Sequence, residues 1–333
     1  MGGDTAPLMV VEGLEIAAER HPGARFLLVG DQAKLTPLLS THRRAAAVCD
    51  VRHAPEVIGN DMKPTAALRV RGSSMRVAID AVASGEASGV VTAGNTGALL
   101  ALATIVIKTL PGIDRAAMAA IGPSARGDVV MLDLGANVQC DSRNLVEFAV
   151  MGDVFARTVL GLTSPSIGLL NVGTEELKGD NTLRLAAETI RASHIGPQFA
   201  GFVEGHDIAA GTTDVVVTDG FTGNVALKTG EGALKLIGDL LRQVFRSSLT
   251  AKIAYLLLRP SLDRLREWLD PRRYNGAVML GLNGVVVKSH GGTDAEGFAH
   301  AVDVAMDMVV HRFNEHIRED LARIAKLMLA PVS

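Results

Sequence analysis

Short apolar runs rich in Val and Ile alternate along the chain with longer segments whose apolar residues recur every three or four positions. Runs at 25–29, 47–53, 89–92, 116–121, 129–134, 166–170, 198–203, 215–218 and 285–288 predict strands. Periodic segments at 6–21, 73–84, 97–110, 145–160, 181–194, 224–247 and 295–327 predict helices. Strand–helix alternation of this kind predicts a three-layer α/β/α fold around a mostly parallel, doubly wound sheet. No linker or low-complexity segment divides the chain, so residues 1–333 read as one α/β unit, with two lobes as the alternative. Ligands of such sheets bind beyond the carboxyl ends of the strands.

One phrase occurs twice. Val-Val-Thr-Ala-Gly-Asn-Thr-Gly at 90–97 and Val-Val-Thr-Asp-Gly-Phe-Thr-Gly at 216–223 agree at six of eight positions, and each precedes a helix-forming run. A strand that enters a helix through a Gly-rich loop exposes backbone N–H groups at the positive end of the helix dipole, which suits an anion. Three more loops of this type follow predicted strands, at 133–137, 171–180 and 289–294. A tight turn alone explains any one of them. Together they predict loops converging on one phosphate-like ligand, with the two copies of the phrase as two walls of a single site.

Two apolar stretches need separate readings. Residues 87–107 carry no charge but break at Gly94-Asn95-Thr96-Gly97, so they read as a buried strand and helix rather than a bilayer span. Residues 249–274 hold Ile253, Leu256, Leu257, Leu258, Leu262, Leu265, Trp268 and five arginines, with Pro260 between two halves. They predict an amphipathic helical hairpin broken at Pro260. Such a hairpin serves as a subunit interface or lobe surface, or touches a membrane and guides an acyl chain.

Composition narrows the function. With 333 residues and 48% hydrophobic content, the chain can bury a large core. A net charge of −3 and 4% aromatic residues argue against nucleic acid. Cys49 and Cys140 stand far apart, as in a reduced, cytoplasmic protein without a disulfide frame. The opening Met1-Gly2-Gly3-Asp4 reads as a turn, not a signal peptide. No Gly-Lys dipeptide, G-x-G-x-x-G, G-x-S-x-G or H-E-x-x-H occurs. The expected enzyme uses no metal, no cofactor and no covalent nucleophile.

Four phrases carry a resemblance: Met-Gly-Gly-Asp-Thr-Ala-Pro at 1–7, Thr-Ala-Gly-Asn-Thr-Gly-Ala-Leu at 92–99, Gly-Leu-Leu-Asn-Val-Gly-Thr-Glu at 168–175 and Val-Val-Thr-Asp-Gly-Phe-Thr-Gly-Asn-Val at 216–225. In these the chain resembles the bacterial phosphate acyltransferases, from Met1 to about Arg312. The resemblance implies a homodimer with a fold similar to phosphotransacetylases and isocitrate-type dehydrogenases. It implies attack of inorganic phosphate on a long-chain acyl-carrier-protein thioester. The acyl phosphate released would pass to a membrane glycerol-3-phosphate acyltransferase, so the protein is expected in the cytoplasm, peripherally on the membrane. The family has a short apolar strand just before Met-Gly-Gly-Asp, whereas this chain opens at that Met: the start lies upstream or that strand is absent.

This chemistry assigns candidate roles. A phosphate dianion is a strongly solvated, poor nucleophile, and a cradle of N–H groups, hydroxyls and amides aims it without quenching it. Candidate substrate and phosphate contacts are Thr92, Asn95, Thr96, Gly97, Asn137, Asp219, Thr222, Gly223 and Gly291. Candidate catalytic residues are Lys178, Asn224 and His290. The thiolate leaving group has a pKa near ~8.5 and needs little help, which Lys178 or His290 can supply. The resemblance favours Lys178. Blander readings stay open: Lys178 as a solvated loop charge, His290 and Asn137 as turn residues, Asp219 as a helix cap. Arg69 and Arg71 are candidate contacts for the acidic carrier, or a solvated face. The alternatives in function are a phosphotransacetylase acting on short acyl-CoA, a dehydrogenase on the related fold, and a non-enzymatic lipid-synthesis scaffold.

Overall fold

Where the helices begin is decided by single polar side chains. Asp31, Ser73, Asn95, Asp141, Asp180, Asp219 and Asp294 each accept a backbone N–H from the first turn that follows. A computed structural model describes residues 1–328. In chain order the elements begin with α1 (Leu8–Arg20), β1 (Phe26–Gly30), α2 (Gln32–Thr41), α3 (Arg43–Val48) and β2 (Cys49–His53). Next come α4 (Pro64–Ala67), α5 (Ser74–Ala83), β3 (Gly89–Thr92), α6 (Thr96–Val106), β4 (Ala117–Ser124) and β5 (Gly127–Leu132). Then follow α7 (Ser142–Val159), β6 (Ile167–Leu170), α8 (Asn181–Ala192), β7 (Phe199–Val203), α9 (Gly205–Ala210) and β8 (Val215–Val217). The chain continues through α10 (Gly220–Arg246), α11 (Leu249–Trp268), β9 (Ala277–Leu280), β10 (Val285–Lys288), α12 (Ala295–Val310) and α13 (Phe313–Met328).

Eight strands form one sheet in the order β3-β10-β9-β4-β5-β8-β6-β7, and β1 pairs with β2 in a separate parallel ribbon. The pleat sorts side chains by face. Val130, Leu132, Val215, Val217, Val285 and Val287 join a core with α7, α8, α12 and α13. Their neighbours face the other way: Val286 packs with α5 and α6, and Val129, Met131 and Val216 pack beneath α9 and α10. Helices therefore cover both faces, the expected three layers. α7 is enclosed most completely, with every residue from 144 to 156 buried.

The expected strands are present, and one more joins them. β9, a four-residue run between Gly276 and Gly281, was not predicted, because so short an apolar run carries no periodicity. It decides the polarity of the sheet. β10 is parallel to β3, but β10–β9, β9–β4 and β4–β5 are antiparallel. β5, β8, β6 and β7 are parallel to one another and so run opposite to β3 and β10.

The helical expectations change in two places. The segment 295–327 is two helices, because Arg312 takes a left-handed turn (φ 52°) after α12. The expected break at Pro260 is absent: α11 runs through it as one helix. The hairpin is instead α10 against α11, turning at 247–248, with Phe245 and Tyr255 rings 5.4 Å apart. α10 also begins four residues earlier than predicted, because Asp219 caps it. Among the described residues, no helix is long and apolar enough to cross a membrane.

Candidate functional site

The reversed polarity splits the predicted site in two. The loops after β3 and β10 leave the sheet in one direction, and those after β5, β8 and β6 leave in the other. Four strands separate β3 from β8, which at ~4.8 Å per spacing is roughly 24 Å. The expectation that all five loops converge, with the two copies of the phrase as walls of one site, is therefore corrected. Thr92, Asn95, Thr96, Gly97, His290 and Gly291 lie at one edge, and Asn137, Lys178, Asp219, Thr222, Gly223 and Asn224 at the other.

At the β3–β10 edge, three Gly-rich segments pack together. The Asp4 N–H donates to the Gly291 carbonyl (2.8 Å) and the Ser289 N–H to the Thr92 carbonyl (2.9 Å). Asn95 is spent on structure. Its Oδ1 accepts the Ala98 N–H at 3.0 Å, and its Nδ2 donates to the carbonyls of Gly59, Asn60 and Met62. The Thr92 hydroxyl accepts the Gly94 N–H at 3.2 Å. Thr96 and Gly97 remain exposed at the start of α6. His290 Nδ1 accepts the Gly292 N–H (3.1 Å), so the neutral ring carries its proton on Nε2. Two residues here were not singled out from the sequence. Asn275 ties down the 289–293 loop through Ser289 Oγ (2.9 Å), the His290 N–H (2.7 Å) and the Gly297 carbonyl (2.6 Å). Lys288 is buried, its ammonium donating to the carbonyls of Ala93 (3.4 Å) and Ser289. Burial lowers its pKa to about 8.

At the opposite edge, adjacent strands β5, β8 and β6 present their loops side by side. Asp219 caps α10, accepting the Thr222 N–H (2.9 Å) and the Thr222 hydroxyl (2.7 Å). This is the cap alternative for Asp219, and it occupies the Thr222 hydroxyl. Gly223 is buried where a methyl group would run into the Asp133 carbonyl. Asn137 donates to the Ala116 carbonyl (2.7 Å) and to Asp133 (2.9 Å), so its amide shapes the loop. Asn224 and Lys178 stand exposed, and Lys178 has no ion pair among the described residues. Asn171 staples the Lys178 loop, donating to the Lys178 carbonyl (3.2 Å) and accepting the Val172 N–H (2.8 Å). Gly179 closes that loop at φ 79°.

Exposed apolar side chains lie on the segments that hold Lys178 and Asn224 and on the β5 loop beside them. Leu177 is 88% exposed, Val172 77%, Val138 68% and Phe221 63%. The helix that begins at this edge, α10, carries Leu236, Ile237, Leu240 and Val244 outward as the first arm of the hairpin. Nearby Cys140 is no nucleophile, because burial and then the charge of Asp133 push its thiol up to about 11. No cluster of metal-ligating side chains occurs among the described residues.

These layers, with Gly-rich loops at the strand ends and an apolar hairpin rising from one edge, define a three-layer α/β class of protein. A phosphotransacetylase from Streptococcus pyogenes has the same fold: TM-score 0.57 at 19% identity, covering 90% of this chain and 91% of that one. Residues 1–316 match the family described as fatty acid synthesis protein. A phosphate acyltransferase from Acidiphilium cryptum is 72% identical over 325 residues, 98% of this chain and 86% of that protein. One from Granulibacter bethesdensis is 71% identical over 327 residues, 98% of this chain and 89% of that protein. The chain belongs to the phosphate acyltransferase family and is an acyltransferase.

Proposed function

We propose that the protein transfers a long-chain fatty acyl group from acyl-carrier protein to inorganic phosphate, at the edge that carries Lys178 and Asn224. The observation that carries this reading is that the segments holding Lys178 and Asn224, with the β5 loop beside them, also expose Leu177, Val172, Val138 and Phe221, with Lys178 in no ion pair among the described residues. Water-exposed Leu177 and Val172 are costly to leave uncovered, and a hydrocarbon chain covers them at ~25 cal/mol per Å². An acetyl group is too small to do so, which favours a long-chain donor over short acyl-CoA.

The roles follow from the chemistry. Lys178 and the Phe221 N–H at the start of α10 bind and aim the phosphate dianion. A phosphate oxygen attacks the thioester carbon, the C–O bond forms and negative charge moves to the carbonyl oxygen. The Asn224 amide donates a hydrogen bond to that oxyanion. The tetrahedral centre collapses, the C–S bond breaks and the carrier leaves as thiolate. His290 and the phosphate candidates at the β3–β10 edge, whose strands run the opposite way, take no part in this step within one protomer.

Several further roles belong to this reading. The hairpin rests on the membrane surface and delivers acyl phosphate to a glycerol-3-phosphate acyltransferase for phospholipid synthesis. The working unit is a homodimer, which sedimentation would register as twice the chain mass.

The deciding assay incubates the protein with palmitoyl-carrier protein and phosphate and follows free thiol and acyl phosphate. Thiol release that depends on phosphate is expected, with acetyl-CoA a poor donor. Release that ignores phosphate sinks the proposal. Lys178→Ala should lower turnover by about 10²-fold or more without changing the melting temperature. Wild-type turnover in that variant would remove Lys178 from the chemistry.

A further inference from the structure

We infer that Asp133 is a positioning residue for acyl transfer: its buried carboxylate sets the β5 loop, and through it the first turn of α10 and the Asn224 amide. The inference rests on the reading that places Asn224 at the reacting carbonyl.

Four donors converge on this one group. Oδ1 accepts the N–H groups of Met118 (2.9 Å) and Ala136 (3.0 Å), and Oδ2 accepts the Asn137 N–H (2.7 Å) and side-chain amide (2.9 Å). No cation pairs with it among the described residues, and the side chain is fully buried. A buried carboxylate without a counter-ion is costly, and the group persists because every acceptor site is filled. An amide at this position has one acceptor oxygen, and its NH₂ would face N–H donors. A carboxylate is therefore required where a neutral side chain would be cheaper to bury.

The constraint passes directly to α10. Asn137, fixed by Asp133, accepts the Gly220 N–H through its own carbonyl at 2.7 Å. That bond fixes the first residue of the helix. Gly220 and Gly223 let the helix press against the loop: a Cβ at 220 would lie 2.8 Å from Asp133 Oδ2, and one at 223 would collide with the Asp133 carbonyl. Asn224 follows Gly223 and stands over Gly135, 3.6 Å from where a Cβ would be. Gly135 keeps that space open at φ 118°. The close approaches at Gly220 and Gly223 thus tie the start of α10, and Asn224 after it, to the Asp133 loop.

The test is a double-mutant cycle on the full chain with palmitoyl-carrier protein and phosphate. Asp133→Asn should lower kcat about 10- to 100-fold, with KM for the acyl donor within about two-fold, because a misplaced amide affects the transition state more than binding. In an Asn224→Ala background the same change should cost less than about three-fold more. Additive losses, or wild-type turnover in Asp133→Asn, overturn the proposal while leaving Asn224 in the site. Wild-type turnover in Asn224→Ala overturns the site reading and this proposal together. If Asp133→Asn fails to fold, Asn137→Ala takes its place. That variant keeps the backbone bonds to Asp133 and Gly220, and should show a smaller loss of kcat with the same non-additivity; additivity there overturns the proposal.

Discussion

At the residue scale, the doubled phrase shows how two substitutions, Ala93 against Asp219 and Asn95 against Phe221, redirect a loop. In the first copy Asn95 is the cap and α6 starts at Thr96; in the second Asp219 is the cap and α10 starts at Gly220. The helices therefore begin two residues out of step along the phrase, and each gives one first-turn N–H, that of Ala98 or of Thr222, to its own cap. Asn95→Ala should cost about 1 kcal/mol or more through loss of the cap, and leave KM for phosphate unchanged. Denaturant melts with steady-state kinetics check both, and a raised KM would return Asn95 to the phosphate site. Lys288 gives a pH-dependent case. Its folded pKa of about 8 lies below the ordinary 10.5. Below pH 8 the folded protein bears the full cost of charging a buried ammonium, roughly 3 kcal/mol; the cost shrinks as pH rises through 8 to 10.5. Lys288→Met should therefore be more stable than wild type at pH 7, with the advantage lost near pH 10.5. Melts at both pH values test this. The sequence hid Lys288, because a lysine ending an apolar run reads as the point where a strand meets water. Asp219 was legible as a cap, since a cap is a bond to the third residue onward.

At the element scale, the strands expected from short β-branched runs are present, and helix starts moved where a polar cap lay outside the apolar pattern. The hairpin was legible as amphipathic, but its partner arm was not. α10 reads as an ordinary surface helix until the fold leaves Leu236, Ile237 and Leu240 uncovered. Pro260 does not break α11, because one lost backbone bond is outweighed in a 20-residue helix that packs against α10. Leu256 and Leu257 are 65% and 76% exposed. The double change Leu256→Asp and Leu257→Asp should leave the melting temperature near wild type, since neither side chain fills the core. It should weaken binding to anionic phospholipid vesicles at least about ten-fold, by removing apolar area and adding like charge. Unchanged co-sedimentation with vesicles would remove the membrane role from the α11 arm.

At the scale of the whole molecule, α13 is held to the core by a charge cluster. Arg157 on α7 bridges Asp153 (2.9 Å) and Asp320 of α13, and Arg323 adds a second contact to Asp320 at 3.0 Å. Both carboxylates are buried, and burial raises the pKa of Asp153. Arg157→Ala should cost about 3 kcal/mol at neutral pH, because two buried carboxylates lose their shared cation. The deficit should shrink on acidification as Asp153, its pKa already raised by burial, takes up a proton. A deficit equal at pH 5 and pH 7 would show that packing, not charge, holds α13. Asp153–Arg157 and Asp320–Arg323 are local pairs at helical spacing, but the Arg157–Asp320 bridge that joins them spans 163 positions, so no spacing in the chain announced it. The same is true of the site. Lys178, Asn224 and Asn137 share an edge because β6, β8 and β5 are neighbours, while His290 and Thr96 follow β10 and β3, which run the opposite way across β9 and β4.

The sequence by itself determined most of the strands, the alternation of strand and helix and the family, because periodicity and contiguous phrases are short-range properties of the chain. Only the tertiary structure decided which loops meet. Strand polarity depends on pairing between residues such as Ala119 and Val278, 159 positions apart, and three antiparallel steps there turn half of the sheet around. The direction in which each Gly-rich loop points, and so the membership of the site, follows from those pairings and from nothing in the loops themselves.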